Sequence, residues 1–112
     1  MDYRDVKRLT SAYLEHVRAL PKAARDARRE GSQDGELMAL AYDAERRRAA
    51  LMCDATHPRC RVLWLHEVEG LTWAAVARTV CVSESTARRM AKAGRAELFT
   101  AMPERWRSDE RG

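Results

Sequence analysis

Glycine and proline are scarce, five and three in 112 residues, and no glycines cluster into a phosphate-cradling loop, which argues against nucleotide-hydrolysing and dinucleotide-binding folds. With one phenylalanine and three tryptophans, leucine, valine, methionine and alanine must build most of any core. Three cysteines are an odd number. With no secretory signal and no apolar run long enough to span a bilayer, they point to reduced thiols in a cytoplasm rather than to a disulfide framework. Catalytic patterns are lacking too. Leu65-His66-Glu67-Val68-Glu69-Gly70 begins like a zinc-peptidase helix, but Gly70 stands where the second histidine is needed, and one ligand cannot hold the metal. Cys53, His57 and Cys60, with Cys81 or His66 as a fourth ligand, match no familiar zinc spacing. His16 has no nucleophile or acid at motif distance, and no carboxylates pair in a recognisable arrangement. The expectation is therefore no enzyme, no metal and no cofactor.

What is present is 46% hydrophobic and 34% charged, the composition of a folded, helix-rich chain rather than of a disordered tail. The length allows one domain, or a compact module with an accessory arm. The net charge of +4 makes a polyanion a natural partner. Basic and acidic residues nearly cancel as far as His57, whereas Arg88, Arg89, Lys92 and Arg95 outnumber Glu84 and Glu97 in the segment after Ser83. The excess cation thus falls near the C-terminal end.

Periodicity divides the chain into helices. Tyr3, Val6, Leu9, Tyr13, Val17 and Leu20 recur at three- and four-residue steps, one apolar helical stripe. Leu20-Pro21 should kink that helix or restart it, and Gly31-Ser32-Gln33-Asp34-Gly35 reads as a turn. A second helix is expected from about Glu36 to Asp54, with Leu37, Leu40, Ala41, Ala44, Arg48 and Leu51 on one face, pairing with the first as an antiparallel hairpin. Arg46-Arg47-Arg48 reads first as a solvated face. Thr56-His57-Pro58 starts a third helix that buries Val62, Leu63, Leu65 and Val68 and stops at Gly70. Thr72 caps a short helix from Trp73 to about Thr79, and Ser83 caps one that reaches about Ala101, with Met102-Pro103 closing it.

The run from Trp73 to Met90 fits a helix-turn-helix. Two helices crossing at about 90–120° over a three- or four-residue turn need a small residue at the crossing, and Ala77 supplies it. Val76, Val80, Val82, Ala87 and Met90 point inward. Ser83 can accept a bond from an amide of the next helix's first turn. Glu84, Ser85, Thr86, Arg88, Arg89 and Lys92 are left outward, all able to bond base edges or phosphates of double-stranded DNA.

The series Val62-Leu63-Trp64-Leu65, Glu69-Gly70-Leu71-Thr72-Trp73, Val76-Ala77, Val82-Ser83, Thr86 and Leu98 closely resembles the fourth conserved region of bacterial sigma factors, which reads the upstream promoter element. The resemblance spans residues 58–101. It implies that Glu84, Ser85, Arg88 and Arg89 stand where that family reads bases and nearby phosphates, and that Ser83 and Thr86 contact the backbone or cap the helix. It places Arg89 one turn after Ser85, toward the groove floor, and Arg88 one turn after Glu84, nearer the groove wall. Cys81 replaces the usual turn glycine, and Ala87 a larger aliphatic residue. No segment resembles the sigma regions that melt promoters and grip core polymerase.

The expected architecture is all-α: a hairpin of long helices (1–55) for dimerisation or partner docking, a three-helix reading module (56–102) and a flexible tail (103–112). The expected function is sequence-specific DNA binding in transcription regulation, similar to small phage or prophage regulators, with double-stranded DNA as partner. RNA polymerase and a second copy of the chain, docked through the N-terminal helices, are further candidate partners. The rival readings are a small terminase subunit of a phage packaging motor and a polymerase-docking adaptor without specific DNA reading.

Overall fold

The computed structural model describes residues 1–108. They form an all-helical fold with no strand among the described residues: α1 (Tyr3–Arg29), α2 (Gln33–Met52), α3 (Pro58–Leu63), α4 (Trp73–Val80) and α5 (Glu84–Ala101). No helix among them is long and apolar enough to cross a membrane.

α1 and α2 form the expected hairpin. Asp2 caps α1 by accepting from the Asp5 amide at 3.0 Å. Leu9, Tyr13, Val17 and Leu20 are buried as the stripe predicts, while Tyr3 is exposed. Pro21 neither ends nor restarts the helix, which runs on to Arg29. Proline forfeits one backbone bond, but burial of Leu20 before it and Ala24 and Ala27 after it holds both sides against α2. The expected turn is also shorter than Gly31 to Gly35. Ser32 caps α2 by accepting from the Gly35 amide at 3.0 Å, and a β-carbon on Gly35 would lie 2.3 Å from the Ala27 carbonyl oxygen, so glycine lets the two helices close there.

The face of α2 differs more. Its buried residues are Gly35, Ala39 and Ala49, whereas Leu37, Leu40 and Leu51 are 58%, 51% and 65% exposed. Small residues permit the close approach to α1, and the large aliphatics are turned away from it.

α3 starts at Pro58, but neither Thr56 nor His57 caps it with a side chain. The Asp54 carboxylate instead gathers the Thr56 amide and hydroxyl and the His57 ring, and these bonds, Thr56 first, hold its carboxyl below the usual range. From Trp64 to Val68 the helix widens into a π turn, the Glu69 amide donating to the Trp64 carbonyl at 3.0 Å. α3 crosses α5 closely. A β-carbon on Gly94 would meet the Arg59 carbonyl oxygen at 2.5 Å.

One continuous buried cluster joins hairpin and module: Leu9, Leu14 and Val17 of α1 share it with Val62, Leu63, Val76, Ala87 and Leu98. The segment after α5 is ordered against the hairpin as far as it is described. A 3-10 turn, Glu104–Trp106, sets the Trp106 ring against Tyr13 at 5.8 Å and Arg105 against Glu45 at 2.9 Å. The rest of the tail expected to be flexible, 109–112, lies outside the described residues.

Candidate nucleic-acid interface

α4, its turn and α5 carry the candidate interface. Thr72 caps α4, its hydroxyl accepting from the Ala75 amide at 3.1 Å. Ser83 caps α5 by accepting from the Thr86 amide at 3.1 Å, a bond of the kind that contributes about 1 kcal/mol. Between the caps, Cys81 takes the left-handed conformation, φ 60° and ψ 46°. Glycine would reach it at least cost, yet the cysteine adopts it: the Val82 amide bonds the Ala77 carbonyl at 3.0 Å, and Ala77 and Ala87 are buried where the helices meet.

At about 100° per residue, Ala87, Ala91, Gly94 and Leu98 make one inward strip of α5, all buried. Ser85 and Arg89 point the opposite way and are exposed. Glu84, Arg88 and Lys92 are exposed along one flank, and Thr86 is half-buried. All seven residues singled out from the sequence, Ser83, Glu84, Ser85, Thr86, Arg88, Arg89 and Lys92, therefore lie at the start or on the accessible sides of one helix.

The three cations are held differently. Arg88 lies over the Trp73 ring at 5.2 Å and 4.0 Å from Glu84. Trp73 in turn stacks on His66 at 4.0 Å, whose Nδ1 is 2.8 Å from the Leu71 carbonyl oxygen. Imidazole, indole and guanidinium thus form three layers, resting on the π turn. Arg89 donates to the Thr86 hydroxyl at 3.0 Å. Lys92 sits over the Tyr3 ring of α1 at 4.9 Å. The aromatic platforms Trp73 and Tyr3 were not singled out from sequence; they lie 15 and 89 positions from their cations, and no local spacing links them.

Arg95 departs from expectation. Counted with the cationic excess, it is in fact 7% exposed. It pairs with Glu67 of the π turn and donates to the Thr10 and Ser11 hydroxyls of α1, each at 3.0 Å. Arg95 therefore mounts α5 on the hairpin. Glu97 is likewise engaged, by Arg59 of α3.

The three thiols are free. Cys53 and Cys60 are buried together, and their mutual hydrogen bond, then burial, pushes the Cys53 thiol above its ordinary range. Cys60 also reaches the Gly94 carbonyl at 3.5 Å. Cys81 is exposed in the turn. No three potential metal ligands gather among the described residues. No protein-family model, curated protein or solved structure matches the chain.

Proposed function

We infer that this chain is a sequence-specific DNA-binding transcription regulator that reads the major groove with α5, in the manner of the sigma region it resembles, and that it is of the small phage or prophage type. The observation that carries the reading is the capped α4-turn-α5 unit, which leaves Ser85, Arg88, Arg89 and Lys92 accessible on a helix whose opposite strip is buried. A helix so mounted is about as wide as the major groove admits. Ser85 and Arg89, on the side of α5 opposite its buried strip, suit base edges. Arg88, drawn back against Trp73, suits a phosphate on the groove wall.

Selection of bound duplexes from a random DNA pool, followed by salt titration on selected and scrambled duplexes, tests this. Arg89→Ala should cost about 1–3 kcal/mol on the selected site and relax choice at one base pair. Arg88→Ala should weaken binding to both duplexes and flatten the salt slope by about one unit. Absence of any enriched sequence, or no loss with either variant, would overturn the reading.

A further inference from the structure

α2 carries two faces. Its small residues meet α1, while Leu37, Leu40 and Leu51 stand 58%, 51% and 65% exposed. Together with half-buried Ala44 and exposed Arg47, these follow the spacing three, four, three, four, the seam of a helix that packs along another helix. The seam runs along a helix of 20 residues, about 30 Å. Beside its C-terminal half lies a groove of about 650 Å³ walled by Ala41, Leu51, Met52 and Pro103 and by the charged Glu45, Arg48 and Arg105. Three exposed leucines thus share one stripe, with Ala44 and Arg47 between Leu40 and Leu51.

We propose that this seam is the interface between two copies of the chain, packed antiparallel about a two-fold axis. The occupant follows from charge. Asp34 and Glu36 lie in the first turn of α2, Glu36 also 3.6 Å from Arg28 of α1, whereas Arg47 and Arg48 are exposed in its C-terminal half. An antiparallel two-fold centred on Ala44 brings each basic end toward the acidic end of the other copy and sets Leu37 opposite Leu51, with Leu40 opposite Arg48. A parallel pairing sets Arg47 and Arg48 against their own counterparts, which like-charge repulsion disfavours. The antiparallel two-fold repeats every contact, so both charged ends meet their opposites at once. The stripe of α1, by contrast, is consumed within the fold, since Leu9, Tyr13, Val17 and Leu20 are buried. The inference does not rest on the DNA reading.

Sedimentation equilibrium of the full chain without DNA, at micromolar to hundred-micromolar concentrations, tests it. The expected result is a dimer. Leu51→Glu, placed beside the acidic end of the other copy, and the milder Leu51→Ala, both at an exposed position, should raise the dimer dissociation constant, the former at least about tenfold, with helical circular dichroism unchanged. Arg47→Glu with Arg48→Glu should weaken association, as should Asp34→Lys with Glu36→Lys. All four substitutions together should restore it, because both charged ends are exchanged. A chain that stays monomeric throughout the range overturns the proposal and leaves the seam to a different protein. A dimer indifferent to both Leu51 variants overturns the surface, and failure of the fourfold variant to recover overturns the antiparallel arrangement. None of these outcomes bears on whether α5 reads DNA.

Discussion

Arg95 gives the sharpest test of how α5 is held. Truncation to alanine removes a charge-assisted bond to Glu67, neutral bonds to Thr10 and Ser11 and a long one to the Lys7 carbonyl at 3.5 Å, together with the packing of a buried stem. Breaking a buried ion pair from one side costs about 3–5 kcal/mol. Here the stranded groups have partial relief. Glu67 is 30% exposed and can regain water, Ser11 is half-buried, and Thr10 keeps its bond to the Val6 carbonyl at 2.7 Å. The expected loss is therefore about 2–4 kcal/mol, a fall in melting temperature of roughly 10–20 °C for a chain of this size. Arg95→Met, which keeps most of the volume, should lose about 1 kcal/mol less. Urea unfolding followed at 222 nm measures both, and a double-mutant cycle with Glu67→Gln should give a coupling of about 1–2 kcal/mol. Stability of Arg95→Ala within about 0.5 kcal/mol of the parent, or a coupling near zero, would refute the mounting role.

Three further outcomes are expected. Cys81→Gly should stabilise the chain by about 0.5–1 kcal/mol, because relief of the left-handed backbone exceeds the chain entropy glycine adds, while Cys81→Val should destabilise it; urea midpoints decide. Gly94→Ala should cost about 1–3 kcal/mol despite alanine's better helix propensity, since the new carbon would press on the Arg59 backbone; a neutral or stabilised variant would show that α3 and α5 can separate freely. Burial pushes the Tyr13 phenol up to about 12 from an ordinary 10.0. A raised folded value means the contribution is complete below the unfolded value and is lost as pH climbs from 10 to 12, so the parent should lose about 2–3 kcal/mol relative to Tyr13→Phe across that window.

The elements were legible where their determinants are local. Thr72 and Ser83 announce helix starts by chemistry that acts over three residues, and Ala77 and Ala87 mark a close crossing within one short stretch. The accessible set on α5 follows from the same local period. What was not legible depends on residues distant in the chain. Arg95 reads as one more surface cation until Glu67 and Thr10, 28 and 85 positions away, are brought to it. On α2 the periodicity of the leucines is real, but period alone cannot say which of two stripes meets the neighbour. The glycine and alanine stripe does, because small residues let helix axes approach, and a reading that ranks faces by side-chain size chooses the other. Pro21 misleads for a related reason: its local penalty is outweighed by burial on both sides of it.

These departures concern one helix pair and bear together on function. α1 is continuous past Pro21, so the half that holds Arg95 through Thr10 and Ser11 is rigidly joined to the half that packs on α2 through Ala24 and Ala27. Lys92 over Tyr3 adds a second link between α5 and the start of α1. An arm joined by a flexible tether would let α5 choose its own orientation. An arm that shares its core with the module cannot, because turning α5 would break the Arg95 bonds and open the Leu9, Leu14, Val17 and Leu98 cluster. If two copies join along α2, the separation and angle of their two α5 helices are then set by the fold. If α5 also reads DNA as proposed, such a pair would discriminate by the spacing of half-sites as well as by bases, which is how a module with few base contacts would gain specificity.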